Sequence, residues 1–298
     1  MNLKIKIQSL TQYNKDFDKH LKFEIMRHNI LIFVLILFTS FSFAQDINVK
    51  IGFRDSIKSE ILQENRNIII HLPDDYKNSN KSYPVLYRLD GNIQLMLETI
   101  ATVNRLTFSD EISPEMIIVA IENTNRAKDM WPVNTKYYPE PHNPGAKSFL
   151  EFIEKELIPY IETNYKTNNE RIICGQSLSG MFTSYAFLTK PELFDSYIIC
   201  SAAFPGCESY FKELSLKAFL EKDNYMGKKL LMTNGLKDPL DPEGKQHEQI
   251  IDFSNSIKEL LKNQVTHKYK IYENEGHVPY HSLYDGLKFI FESNVKNQ

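Results

Sequence analysis

Cysteine is scarce in this chain of 298 residues: there are three, an odd number that leaves no closed disulfide framework. Cys174 reads as a small buried apolar residue, whereas Cys200 and Cys207 are close enough in sequence to bridge in an oxidising compartment. No cysteine or histidine spacing matches a zinc site, so neither a metal nor an organic cofactor is expected. Long basic blocks are missing too, and the aromatic residues are not interleaved with Lys or Arg, which argues against a nucleic-acid partner. No internal repeat, low-complexity tract or interdomain linker interrupts the chain. With 42% hydrophobic and 24% charged residues, it has material for one sizeable core.

The one unbroken apolar run, Ile30 to Phe38, is too short to span a bilayer comfortably. It follows Met26-Arg27-His28 and precedes Ser42-Phe43-Ala44, small residues at the positions a signal peptidase reads. The expectation is a signal peptide within residues 1–44, cleaved after Ala44, with translation starting at Met26; a retained anchor is the alternative. Cleavage leaves 298 − 44 = 254 residues (45–298) as one domain, periplasmic or secreted and without stable membrane insertion. Residues 1–44 carry six Lys/Arg and three Asp/Glu, so the formal charge moves from −3 to −6.

Extended runs then alternate with helical stripes. Val49 to Phe53, Asn67 to Leu72, Tyr83 to Leu89 and Met116 to Ile121 read as strands, with a helix through Leu95, Leu97, Ile100 and Val103. A long polar, proline-punctuated segment covers residues 122–145, of the kind that is functional when it occurs inside a compact domain. Phe149, Leu150, Ile153, Leu157, Tyr160 and Ile161 give the next helix, bent near its end by Pro159. Strands at Arg171 to Cys174, Ser196 to Cys200, Leu230 to Thr233 and His267 to Tyr272 follow, separated by helices, and a helix closes the chain. That alternation predicts an α/β fold with a mostly parallel central sheet and helices on both faces.

The sequence Arg171-Ile-Ile-Cys-Gly-Gln-Ser177-Leu-Ser-Gly-Met181 has the form of a strand, a sharp elbow and a helix. Ser177 would stand at the tip, and the crowding of such a turn is met by the small residues Gly175, Ser179 and Gly180. Ser179 as nucleophile fits less well, because Ser177 rather than glycine lies two places before it. Reactive groups on such sheets collect after strand C-termini. Two later loops qualify: Asn234 to Pro242, with Asp238, and Glu273 to Pro279, with His277. The order Ser, Asp, His is that of an α/β-hydrolase triad. A serine hydroxyl needs an imidazole to take its proton, and the imidazole a carboxylate to orient it. Asp241 and Glu243 are alternative acids, and His281, expected inside the last helix, is a fallback base. Oxyanion donors are expected from the N–H of Leu178 and from Gly91 or Asn92, while Asn123, Arg126 and Trp131 are candidate cleft residues.

From about Tyr83 onward the chain resembles the putative esterase family of α/β-hydrolases, which includes S-formylglutathione hydrolases, siderophore esterases, feruloyl and acetylxylan esterases, and mycolyltransferases. The resemblance is carried by YPVLYRLDG (83–91), IENTNR (121–126), SFLEFIEKELIPYIETNY (148–165), GQSLSGMF (175–182) and EGHVPYHSLYDGLKFIF (275–291), and is greatest to the siderophore-esterase-like branch. It implies Ser177 as nucleophile and His277 as base. The acid of that branch is often a glutamate, so the choice among carboxylates stays open. Ser179 departs from the family's second glycine. The implied activity is exported hydrolysis of a small-molecule carboxylic ester through an acyl-enzyme; an acyltransferase with the same triad and a non-catalytic binding protein on the same fold are the rivals.

Overall fold

The structure is a computed structural model and describes residues 3–39, 49–139 and 142–295. It divides into two compact units, Met1–Lys50 and Ile51–Gln298. In the first, α1 (Leu3–Thr39) is one helix that contains both Met26 and the apolar run. Among the described residues, no helix is long and apolar enough to cross a membrane. The expected cleavage point after Ala44 lies outside the described residues.

The second unit is built on one sheet whose spatial order is β1-β2-β4-β3-β5-β6-β7-β8. Its strands are β1 (Phe53–Ser59), β2 (Glu64–His71), β3 (Tyr83–Gly91), β4 (Ile117–Glu122), β5 (Thr167–Gln176), β6 (Ser196–Cys200), β7 (Lys228–Gly235) and β8 (Val265–Tyr272). The β1/β2 and β2/β4 pairs are antiparallel and all the others parallel, as the alternation of strands and helices predicts. β3 is buried at every residue, which explains its nearly unbroken apolar sequence. Val85, Tyr87, Val119, Ile173 and Tyr197 face one core. That core is covered by α4 (Ala146–Phe152), α5 (Ile158–Asn164), α6 (Leu178–Thr189), α7 (Glu208–Leu220) and α8 (Lys245–Leu260). Leu86, Ile118, Ile172 and Ile198 face the other, under α2 (Ile93–Asn104) and α9 (Ser282–Val295). A short helix α3 (Arg126–Met130) opens the polar segment.

Several local expectations shift. The first strand begins at Phe53, where the expected one ends, because only Ile57 and Ser59 of this edge strand are buried and its apolar alternation is weak. In α2 the inward face is Met96, Thr99 and Val103, while Leu97 is 47% exposed. Pro159 sits in the first turn of α5, behind a π-helical turn at Ile153–Leu157. The proline ring collides with the carbonyl four residues back, and the widened turn is where that collision is absorbed. All three cysteines are free and buried. Cys200 and Cys207 do not bridge because Cys200 turns toward Ser282 at the start of α9, whereas Cys207 packs in the opposite core.

Candidate active site

β5 ends at Gln176 and α6 starts at Leu178, so the reversal is made at Ser177 alone, with φ 56° and ψ −120°. A side chain at positive φ costs about 1–3 kcal/mol and persists only where its surroundings hold it. Here the Ser177 N–H donates to the Cys200 carbonyl at 2.9 Å, and its carbonyl accepts from Ala203 N at 3.1 Å and Met181 N at 3.0 Å. Asp90 (φ 58°) and Ser201 (φ 42°) are also left-handed, so the C-terminal ends of β3, β5 and β6 share the same local strain. The elbow is tight: a Cβ on Gly175 would lie 2.3 Å from the Ser179 carbonyl oxygen. Ser177 Oγ has no hydrogen bond among the described residues and is partly exposed.

Ser179 has a different position. It is fully buried; its Oγ accepts from Gln176 N at 2.8 Å and lies 2.7 Å from Asp90 Oδ2, to which it donates. It is a tie between the elbow and the end of β3.

β7 and β8 run in register to Gly235 opposite Tyr272, and the loops beyond them stay together. A Cβ at Gly235 would come 2.0 Å from the Gly276 carbonyl, so only glycine permits this approach, and Lys237 N then donates to Glu275 O at 2.9 Å. His277 Nδ1 consequently lies 2.5 Å from Asp238 Oδ2, with the aspartate side chain 5% and the imidazole 17% exposed. The other oxygen, Asp238 Oδ1, accepts from Leu240 N at 2.8 Å, which fixes the carboxylate. His277 Nε2 is buried without a partner.

The alternative residues are engaged elsewhere. Asp241 accepts from His247 N at 2.8 Å, and Glu243 pairs with Lys245 on the exposed surface. His281 lies in the turn before α9 rather than within it, 3.3 Å from Glu275 and 61% exposed in its side chain.

A cavity of about 610 Å³ borders the elbow, lined among others by Asp90, Gly91, Asn92, Asn123, Arg126 and Gln176. The Asn92 side chain caps α2 through Oδ1, which accepts from Leu95 N at 2.9 Å, and its Nδ2 donates to the Asp90 carbonyl at 3.2 Å, so the remaining donors of this loop are backbone N–H groups. Asp90 accepts from Arg126 Nε at 2.6 Å, Arg126 Nη2 at 2.9 Å and Asn123 Nδ2 at 2.8 Å. Burial pushes the Asp90 carboxyl up, but Arg126, Asn123 and Ser179 together outweigh it and hold the group below its ordinary value. Arg126 Nη2 also reaches the Gln176 carbonyl at 3.3 Å. Arg126 and Asn123 therefore line the cavity while fixing its floor. Trp131 does not line it; its indole is 8% exposed, belongs to the core and stacks on Tyr138 at 5.1 Å.

Sequence reasoning passed over Asp90, Gln176 and the buried role of Ser179. The contacts of Asp90 link positions 33 to 89 residues apart, and the readable signal was an aspartate ending an apolar strand. Among the described residues no group of three or more His, Cys, Asp or Glu is placed to hold a metal ion.

Comparison with known proteins follows the same lines. The family described as "Putative esterase" matches residues 59–281. Ferri-bacillibactin esterase BesA of Bacillus subtilis is 33% identical over 133 residues, covering 39% of this chain and 46% of that protein. The siderophore enterobactin esterase of Emericella nidulans is 28% identical over 144 residues, 41% of this chain and 47% of that protein. The chain thus spans about half the length of the curated relatives it matches. Among solved structures, an IroE-like serine hydrolase of Shewanella oneidensis superposes with a TM-score of 0.74 at 29% identity, over 81% of this chain and 80% of that one.

Proposed function

Because this chain belongs to the putative esterase family of α/β-hydrolases, we propose that it is an exported serine hydrolase that cleaves a small-molecule carboxylic ester through an acyl-enzyme. The observation that carries this reading is the His277–Asp238 contact at 2.5 Å with Nε2 left free and buried. An imidazole held at Nδ1 by a fixed carboxylate presents Nε2 as a base.

In the proposed reaction Ser177 Oγ attacks the ester carbonyl as its proton passes to His277 Nε2. The carbonyl π pair moves to oxygen, where the N–H of Leu178 and a backbone N–H of Gly91 or Asn92 receive it. Collapse expels the alkoxide, which takes the proton from His277; water then repeats the sequence on the acyl-enzyme and releases the acid. Asp238 orients the ring and stabilises the imidazolium. Apo sites commonly leave the nucleophile–base hydrogen bond unmade until substrate arrives, consistent with the unbonded Ser177 hydroxyl.

Ser177→Ala is expected to abolish hydrolysis of p-nitrophenyl acetate and labelling by a fluorophosphonate, with the fold intact by circular dichroism. Turnover that survives removes Ser177 from the mechanism. The two curated siderophore esterases support a siderophore-type lactone as substrate. A ferric tri-catecholate lactone is then cleaved much faster than the acetate, and equal rates would exclude that choice. Export is supported by the apolar run and the small residues before Ala44; N-terminal sequencing of the chain recovered from its native compartment is expected to begin at Gln45.

A further inference from the structure

Beside the elbow, the side chain of Arg88 enters a space bounded by α2 and by Val278, Pro279 and Tyr280 of the histidine loop. It is 5% exposed in a strand that is otherwise apolar up to Asp90. Its acceptors are all neutral: Gln176 Oε1 at 2.7 Å, and the carbonyl and sulfur of Cys174 at 3.4 and 3.3 Å. Arg88 Nε is buried with no partner, and no carboxylate pairs with this guanidinium among the described residues. Burial holds the thiols of Cys174 and Cys200 above their ordinary values, so neither supplies the missing negative charge. A buried cation without a counter-charge is costly.

Arg88 lines a cavity of about 270 Å³ whose wall includes Gln176, Ser282, Glu98, Val278 and Tyr280. Two further donors face into this set. Gln176 uses its Oε1 on Arg88, and its Nε2 makes no hydrogen bond among the described residues. Ser282, 4% exposed, accepts from Thr233 Oγ1 at 2.8 Å and from Cys200 Sγ at 3.3 Å, so its own hydroxyl proton is unassigned. Glu98 is the one acidic residue on the wall, and its carboxylate accepts from Gln94 Nε2 at 3.0 Å rather than pairing with Arg88.

We propose that this cavity is a binding site for a small carboxylate, held by the fork of Arg88 with Gln176 and Ser282 as additional donors. A planar carboxylate matches a guanidinium edge with two parallel hydrogen bonds, and the volume suits a short-chain or single-ring acid. If the chain hydrolyses esters as proposed above, its own reaction releases this class of molecule. Gln176 and Val278, which line the cavity, are the chain neighbours of Ser177 and His277.

Thermal unfolding with increasing sodium acetate or sodium benzoate, against sodium chloride at equal ionic strength, tests the site. At about a hundredfold excess over Kd, a saturable rise in Tm of roughly 5 °C is expected for the natural chain. The rise is expected to vanish in Arg88→Met, a change that removes a buried charge at similar volume and leaves the fold in place. Ser282→Ala keeps the charge and removes one donor, and is expected to weaken binding about tenfold by calorimetry. No saturable response in the natural chain overturns the proposal, as does an equal response in Arg88→Met or unchanged affinity in Ser282→Ala. Because binding is read by heat and melting, failure here is distinguishable from failure of the esterase reading, which turnover and Ser177 labelling decide.

Discussion

Two aspartates at the C-terminal rim of the sheet hold basic partners at nearly the same distance, Asp238 to His277 at 2.5 Å and Asp90 to Arg126 at 2.6 Å. The pairs differ in what the partner is able to release. An imidazole exchanges its proton near neutral pH, whereas a guanidinium keeps its charge throughout the working range. In the proposed mechanism the first pair therefore orients a group that moves a proton. The second, with Ser179 and Asn123 added, immobilises the ends of β3, β4 and β5 around the elbow. Similar geometry serves motion in one case and rigidity in the other.

The largest break in this comparison is expected from Asp238→Asn. It keeps the shape but reverses the hydrogen-bond preference at Nδ1, and kcat is expected to fall by about 10³–10⁴, as in other triads, with Tm changed by only a few degrees. Asp90→Asn reverses the balance. Asparagine tolerates the positive φ, so the loss is that of the charge pair with a partly exposed arginine: about 2 kcal/mol of stability, read as a drop of roughly 4–8 °C in Tm, with a smaller effect on rate.

Acid sharpens the contrast through a third group. Burial lowers the pKa of His267 from 6.5 to about 4. Between those values the unfolded chain binds the extra proton and the folded chain does not, so stability falls as pH drops through this window, by at most about 3 kcal/mol. Asp90, whose folded value is depressed, contributes fully above its unfolded pKa and loses its contribution only as pH falls through the lower folded value. Denaturant melts from pH 7 to 4 are expected to show this loss in the natural chain and a flatter profile in His267→Gln, while Asp90→Asn shifts the whole curve down. The smallest effect is expected from Ser179→Gly, which restores the family's glycine and removes the hydroxyl that bonds both Asp90 and Gln176 N: about 1–2 kcal/mol by the same melts.

The central strands and their order of alternation were legible because burial on both faces writes a continuous apolar run, as in β3 and β4. β1 was displaced because an edge strand with two inward residues carries almost no such signal. Ser177, Asp238 and His277 could be singled out because each follows a strand in a loop whose local sequence is distinctive. The approach of the last two was not readable, since it depends on a close contact of Gly235 with Gly276 across β7 and β8. Asp90 and the buried role of Ser179 were hidden for the same kind of reason, and Arg126 was legible as a cleft residue but not as the partner of Asp90. Only parallel pairing of β3 with β4 and β5 brings the three together. Trp131 misled because a lone indole beside a polar loop reads equally as a cleft wall or as packing, and here it packs.

The interlocked backbones at Gly235 and Gly276 carry the proposed acid and base together. Thr124, which lines the cavity just after β4, shares none of that lock. Changes at such unanchored wall positions can therefore re-cut what the cleft accepts while the proposed proton relay is inherited untouched.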